Sequence, residues 1–259
     1  MSLPATWVLL RGLTREARHW SDFNRLLAEQ LNQIDPAARH TVLALDLPGN
    51  GMLSSGDSPA TVHGMVLAAR EQLLVLGIKP PYALVAMSLG GMVATDWAQL
   101  FPDEVTRMAL INTSLRPFSS ILQRLRPGSW WPLVRLAARW RSPPAAEAIV
   151  YRLTCNREAG RSDDLKVWAD IRQSAPVSAG NALRQLLAAA RFKSAAQPPR
   201  CPVLVLSSTA DALVDDRCSA ALAAAWLAPH YRHPWAGHDL PHDDAPWVAQ
   251  RITGWLSKK

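Results

Sequence analysis

The sequence predicts a three-layer α/β fold on a mostly parallel sheet, with a helical segment inserted after the strand that ends near Ile111. Two observations predict the layers and a third predicts the insertion. Short apolar runs rich in Val and Leu are closed by turn or polar residues, as strands buried on both faces are. Between these runs lie stretches of helical period, and such alternation calls for right-handed crossovers with helices on both faces of the sheet. From Leu115 to about Gln197 the alternation stops, and Pro117, Pro127, Pro132, Pro143, Pro144 and Pro176 cut the chain into short pieces, too proline-rich for strands and suited to short helices.

In chain order, Trp7 to Leu10 is the first strand and Trp20 to Leu31 the first helix. Thr41 to Leu45 is a strand, Thr61 to Leu76 a helix, Tyr82 to Met87 a strand, Gly91 to Leu100 a helix and Val105 to Ile111 a strand. In the insertion, Trp130, Leu133, Val134 and Ala137 recur at helical spacing with Arg135 and Arg139 on another face. Leu183, Leu186, Leu187 and Ala190 repeat that pattern, with Arg184 and Arg191 outside. The prolines divide the insertion into about four amphipathic helices. Val203 to Leu206 resumes the sheet, Asp216 to Leu227 is a helix, part of Tyr231 to Pro234 is the last strand, and Pro246 to Leu256 is the last helix. The expected organisation is a core of residues 1–114 and 198–259 carrying a helical cap, 115–197.

With 259 residues, 49% of them apolar, the chain is long enough to bury a sizeable core. Its longest apolar run, Ala220 to Ala228, is nine residues, far short of the ~20 that cross a bilayer. Met1 to Trp7 lacks a basic n-region, so the expected location is the cytoplasm. Cys155, Cys201 and Cys218 are odd in number and form no C-x-x-C pair, which argues for free thiols. The net charge of +7 is concentrated: residues 115–195 hold 14 Lys and Arg against 5 Asp and Glu. No nucleic-acid-binding motif accompanies that charge, so nucleic acid is excluded in favour of an acidic partner or substrate. Arg124, Arg126, Arg135, Arg139 and Arg141 are candidates to guide an acidic carrier protein or an acyl-CoA phosphate, or else form a solvated basic face.

The most informative segment is Leu84-Val85-Ala86-Met87-Ser88-Leu89-Gly90-Gly91, where an apolar strand runs into a serine, two glycines and a helix. A sharp strand-to-helix turn lifts a serine hydroxyl above the carboxyl end of a sheet and needs small neighbours, here with Ala86 in place of the first glycine of G-x-S-x-G. A hydroxyl needs a base to take its proton and a carboxylate to orient that base. Asp211, after the strand Val203 to Leu206, and His238, ahead of the last helix, follow Ser88 in the matching order. Asp215 and Asp216 compete for the acid role, but Asp216 reads as a helix cap. Asp243 and Asp244 suit the N-terminus of the last helix. His230, His233, His238 and His242 lack the spacing of a metal site, and no metal or other cofactor is expected.

Through Arg11-Gly12, Leu45-Asp46-Leu47-Pro48-Gly49-Asn50-Gly51, Met87-Ser88-Leu89-Gly90-Gly91, Asp211 and Gly237-His238, the chain resembles the α/β-hydrolase superfamily over nearly its whole length. Its layout is similar to the small capped serine esterases, including the pimeloyl-acyl-carrier-protein methyl ester esterases. The resemblance implies an α/β-hydrolase fold and a Ser88-Asp211-His238 triad. It also implies an oxyanion hole from the backbone amides of Leu13 and Leu89, and loss of the first two strands of larger members. Where the family usually carries His-Gly, this chain has Arg11-Gly12. Arg11 either biases the site toward an anionic substrate group or pairs with a carboxylate such as Asp46, which otherwise fixes its own turn. Trp130, Trp131 and Trp140 line an acyl tunnel or fill the core of the cap.

The expected function is hydrolysis of a carboxylic ester or thioester, a small-molecule acyl substrate, through an acyl-enzyme. A C-C bond hydrolase or lyase on the same triad is the alternative enzyme, since fold does not set substrate. A non-catalytic binding protein with a basic cap is the alternative outside enzymes.

Overall fold

The computed structural model describes residues 6–257; residues 1–5, on which the reading of a leader rests, and 258–259 lie outside the described residues. Six strands, β1 (Thr6–Leu10), β2 (Thr41–Leu45), β3 (Tyr82–Met87), β4 (Val105–Ile111), β5 (Val203–Ser208) and β6 (His230–His233), form one sheet in the order β2-β1-β3-β4-β5-β6. Every pairing is parallel, as in Leu9 against Ala44 and Val85. The chain reverses its direction of travel between β2 and β3, so the carboxyl ends of β1 and β3 meet at a switch point, where α/β sheets place their sites.

Side-chain alternation splits the core in two. Val8, Leu10, Leu84 and Ala86 face α2 (Val62–Val75), α3 (Leu89–Leu100) and α9 (Arg217–Trp226). Trp7, Leu9, Ala83 and Val85 face α1 (Phe23–Ile34) and α11 (Ala245–Leu256). All eight of these strand residues are fully buried, and each Val or Leu among them contributes about 1.5–3 kcal/mol on burial.

The expected boundaries differ from the observed ones where polar chemistry intervenes. α1 starts at Phe23 because Ser21, at φ 49°, breaks it from the 3-10 turn Ala17–Trp20. β5 runs on through Ser207 and Ser208, whose buried polar groups are satisfied by His230 and Asn112. Asp216 sits at the N-cap of α9 without capping it and pairs with Arg232 instead. The carboxylate of Asp215 accepts the Arg217 N–H, while Asp244 caps α11 by accepting the Trp247 N–H at 3.0 Å.

Between β4 and β5 lie α4 (Ile121–Arg124), α5 (Trp130–Ala138), α6 (Pro143–Thr154), α7 (Arg161–Ser174) and α8 (Ala179–Arg191), four full helices and the single turn α4. Their predicted faces need correction. α5 buries no residue, and Trp130, Trp131 and Val134 are exposed together with Arg135 and Arg139. α8 turns Asn181, Gln185 and Ala188 inward and leaves Leu183 and Leu186 about half exposed. Asn181 bonds Ser58 N and Gly56 O, and Gln185 bonds Thr14 N, Asn50 and Ser58. Satisfied buried amides of this kind decide a helix orientation that apolar periodicity misreads. Among the described residues no helix is long and apolar enough to cross a membrane.

Candidate active site

β3 delivers Ser88 to a turn at φ 54° and ψ −118°, a conformation an L-residue adopts only when its surroundings impose it. The imposition is visible: Ser88 N–H donates to Ile111 O, and Ser88 O accepts from Thr113 Oγ1 at 2.8 Å. Gly90 allows the backbone to close, since a Cβ there would lie 2.3 Å from Leu10 O. Ala86, fully buried in β3, fits where the usual motif has glycine. α3 begins at Leu89, so the Leu89 N–H points out of the helix N-terminus beside Ser88.

Asp211, in the loop after β5, is 1% exposed, and His238 is 3% exposed. Asp211 Oδ2 lies 2.7 Å from His238 Nδ1, and Oδ1 accepts the N–H groups of Leu213 and Val214. Arg126 donates to the Asp211 carbonyl at 2.8 Å, which holds the loop from outside. The carboxylate is thereby locked toward Nδ1, leaving Nε2 as the free nitrogen of the ring. Among the described residues no hydrogen bond joins Ser88 Oγ to His238, whose ring contact is with Asp211.

The loop after β1 approaches Ser88 from the other side: a Cβ at Gly12 would lie 3.1 Å from Ser88 Cβ. No acceptor among the described residues takes the Leu13 N–H or the Leu89 N–H. Asp46 fixes the neighbouring loop, accepting Ala17 N–H at 2.7 Å and Met52 N–H at 2.8 Å. Arg11 does not pair with Asp46. It is 1% exposed and forks onto Asp239, with Nη1 3.0 Å from Oδ1 and Nη2 on Oδ2. An Arg11 so enclosed is an internal partner rather than a cation offered to an anionic substrate.

Two residues around the site, Asn112 and Gln185, escape sequence reading, and Asp243, expected at the N-terminus of the last helix, bonds the histidine loop instead. Asn112, at φ 45° after β4, donates to His238 O at 2.8 Å and accepts Ser208 N–H, joining β5 to the histidine loop. Asp243 accepts the N–H groups of Gly237, Asn156 and Arg157, clasping the histidine loop to the chain after α6. Burial pushes its carboxyl up against the pull of those donors. Gln185 takes the Thr14 N–H at 2.8 Å next to Leu13. Polar residues at strand ends and on an inward helix face are the available signal, and it is faint.

The remaining candidates separate. Trp140 packs inside the insertion, donating to Val177 O at 3.0 Å with Arg172 over its ring. Trp130 and Trp131 are 48% and 69% exposed and belong to no core. A recess of about 420 Å³ beside Asp211 is lined by Arg126, Ser129, Leu153 and Thr209 among others, with no tryptophan. Of the basic residues, Arg124 and Arg126 turn inward onto Ala189 O and Asp211 O. Arg135 and Arg139 line a cleft of about 480 Å³ between α5 and α6, joined by Arg152, which sequence reading passed over. Burial pushes the Cys155 and Cys218 thiols up and Cys201 up to about 11, so none is a ready nucleophile. Among the described residues no group of three His, Cys, Asp or Glu is placed to share a metal ion.

Known proteins are similar to this chain in part of its sequence or in its fold. A stretch of 95 residues is 35% identical to homoserine O-acetyltransferase of Haloferax volcanii, spanning 31% of this chain and 23% of that protein. Another of 98 residues is 39% identical to the pimeloyl-[acyl-carrier protein] methyl ester esterase of Chromobacterium violaceum, spanning 38% of this chain and 34% of that protein. The match thus spans about a quarter to a third of these curated relatives. In fold, a thermophilic esterase from Thermogutta terrifontis superposes with a TM-score of 0.71 at 21% identity, covering 99% of this chain and 91% of the other. The sequence profile of the Alpha/beta hydrolase family matches residues 7–251. That match, on a six-stranded parallel sheet with helices on both faces, establishes that the chain belongs to the alpha/beta hydrolase family.

Proposed function

We propose that the protein is a serine hydrolase acting on a carboxylic ester or thioester. The observation that carries this reading is the buried His238–Asp211 pair, 2.7 Å from nitrogen to oxygen, at the sheet end where Ser88 turns. With Asp211 accepting from Nδ1–H, the neutral ring offers Nε2 as the base that takes the Ser88 proton as Oγ attacks the acyl carbon. The oxyanion falls to the N–H groups of Leu13 and Leu89. His238 returns the proton to the leaving alcohol or thiol, then activates the water that releases the acid. In this reading residues 115–197 are the cap and 1–114 with 198–259 the core. Three unpaired thiols favour a cytoplasmic setting.

The test is hydrolysis of p-nitrophenyl and methyl esters from acetate to dodecanoate, with acyl thioesters in parallel, by wild type and Ser88→Ala. Turnover lost in the variant, together with fluorophosphonate labelling of wild type alone, supports the mechanism. Labelling without ester or thioester turnover moves the reading to C-C cleavage, and neither moves it to a binding protein. For the partner, the cleft of Arg135, Arg139 and Arg152 favours an acidic carrier protein. Reversing these charges is expected to raise KM for a carrier-linked ester and to leave KM for a p-nitrophenyl ester unchanged; equal KM values for the carrier substrate reject the partner.

A further inference from the structure

Arg11 stands where three loops of the proposed site meet. It precedes Gly12 and Leu13, its Nη1 lies 3.6 Å from the sulfur of Met87, the residue before Ser88, and its fork closes on Asp239, the residue after His238. Both partners of the pair are buried, at 1% and 2% exposure. Trp20 stacks on the guanidinium at 4.8 Å, and the Asp239 N–H is itself tied to Thr154 O at 2.7 Å. A bidentate arginine–carboxylate pair defines distance and angle together, unlike a single hydrogen bond. Buried pairs contribute little net stability, because desolvation offsets their attraction. A pair joining residues 228 positions apart in sequence between two reacting loops is better explained by the geometry it sets.

We infer that Arg11 is a positioning residue, whose fork onto Asp239 sets the oxyanion loop against the histidine loop. This inference rests on the serine-hydrolase reading above. Arg11 touches neither substrate nor reacting atoms; it acts through the Leu13 amide on one side and His238 on the other. The charged and titratable groups around the pair are Arg15 of the same loop, His19 of the 3-10 turn that follows it, His242 and Asp243 of α10 (Leu240–Asp243) and Cys155 after α6. Asp211 faces His238 from the opposite side. Burial alone would push the Asp239 carboxyl up; Arg11, with smaller help from His242 and Arg15, outweighs it and holds the group below its ordinary value. Removing the carboxylate therefore leaves a bare cation beside the histidine loop, whereas removing the cation lets burial push the Asp239 carboxyl up toward its neutral form.

The experiment compares wild type with Arg11→Lys, Arg11→Met, Asp239→Asn and the double variant Arg11→Met/Asp239→Leu. The double variant replaces the pair by apolar groups of similar volume, an exchange that buried pairs tolerate. Its unfolding temperature is expected to stay within a few degrees, while kcat on a p-nitrophenyl ester and the rate of Ser88 phosphonylation fall about 10- to 100-fold at nearly constant KM. Arg11→Lys keeps the charge without the fork and is expected to fall between. The acid limb of kcat/KM moves to lower pH in Asp239→Asn, where Arg11 is left without its counter-charge, a shift that a merely structural role would not produce. A folded double variant with wild-type kcat and labelling rate overturns the inference. Should that variant not fold, an unmoved acid limb in Asp239→Asn and wild-type kcat in Arg11→Lys and Asp239→Asn overturn it. A wild type that neither turns over esters nor labels at Ser88 is a different result, since it rejects the serine-hydrolase reading itself.

Discussion

Ser88 and His238 each depend on a neighbour that sequence alone leaves anonymous. Ser88 holds its positive φ because Thr113 and Ile111 bond its backbone on both sides. His238 is held by Asp211 at the ring and by Asn112 at the carbonyl. Asp211→Asn tests the first of these histidine contacts. The amide keeps the shape but offers N–H where Nδ1 needs an acceptor, or turns its oxygen inward with no charge to stabilise the imidazolium. In the serine-hydrolase reading kcat is expected to fall about 10³- to 10⁴-fold with little change in unfolding temperature. A loss below tenfold in ester turnover would remove Asp211 from the triad.

At the scale of elements, buried polar contacts fasten the insertion to the loop after β1. Glu147 of α6 is 1% exposed and lies 2.6 Å from Arg15 of the loop after β1 and 3.0 Å from Arg172 of α7. Arg15 also stacks on Trp168 of α7 at 4.2 Å. Glu147→Gln leaves two guanidinium groups without their anion, and urea unfolding is expected to show a loss of about 3–5 kcal/mol, as when one partner of a buried pair is removed. α8 offers a contrast on a single helix. Gln185→Leu strips partners from Thr14, Asn50 and Ser58 and is expected to cost about 1–3 kcal/mol. Leu186→Gln, at a position 48% exposed, is expected to stay within about 0.5 kcal/mol. The reverse ranking of urea midpoints would mean that the leucine face is the packed one.

Across the whole molecule, buried titratable groups set a window of stability. Burial holds His19 well below its ordinary value of 6.5, with Arg15 and Arg11 adding to it, and lowers His242 and His230 as well. These rings take up protons at lower pH when folded than in the unfolded chain, which binds them near pH 6.5, so stability is lost as pH falls below about 6.5. Asp239, held low in the folded state by Arg11, adds to the acid loss once the unfolded carboxyl begins to protonate. On the alkaline side the unfolded thiols ionise near 9 while folded Cys201 waits until about 11, and buried Cys155 and Cys218 are raised too. Stability therefore falls again as pH rises from about 9. Thermal unfolding from about pH 5 to pH 10 is expected to give a maximum between these limbs, and a midpoint that keeps rising below pH 6 would contradict the lowered histidines.

The sequence by itself determined what repeats locally or is carried by a contiguous motif. Five strands, the helices between them and the Ser88 turn are each written within at most 14 residues, where apolar period and small-residue spacing act directly, and the all-helical insertion is written in its six prolines. The order Ser88, Asp211, His238 was legible for the same reason, each following a readable strand. What only the tertiary structure decided was polar partnership across the chain. Arg11 met Asp239 rather than Asp46, because Asp46 is already occupied by the N–H groups of Ala17 and Met52. α8 turned its amides inward and its leucines out, because Asn181 and Gln185 found partners in the loops from Thr14 to Ser58. In the strands, hydrophobic burial follows local periodicity and needs no particular partner. Hydrogen bonds and ion pairs are directional and pairwise, so their outcome depends on which residues the fold brings within about 3 Å of one another.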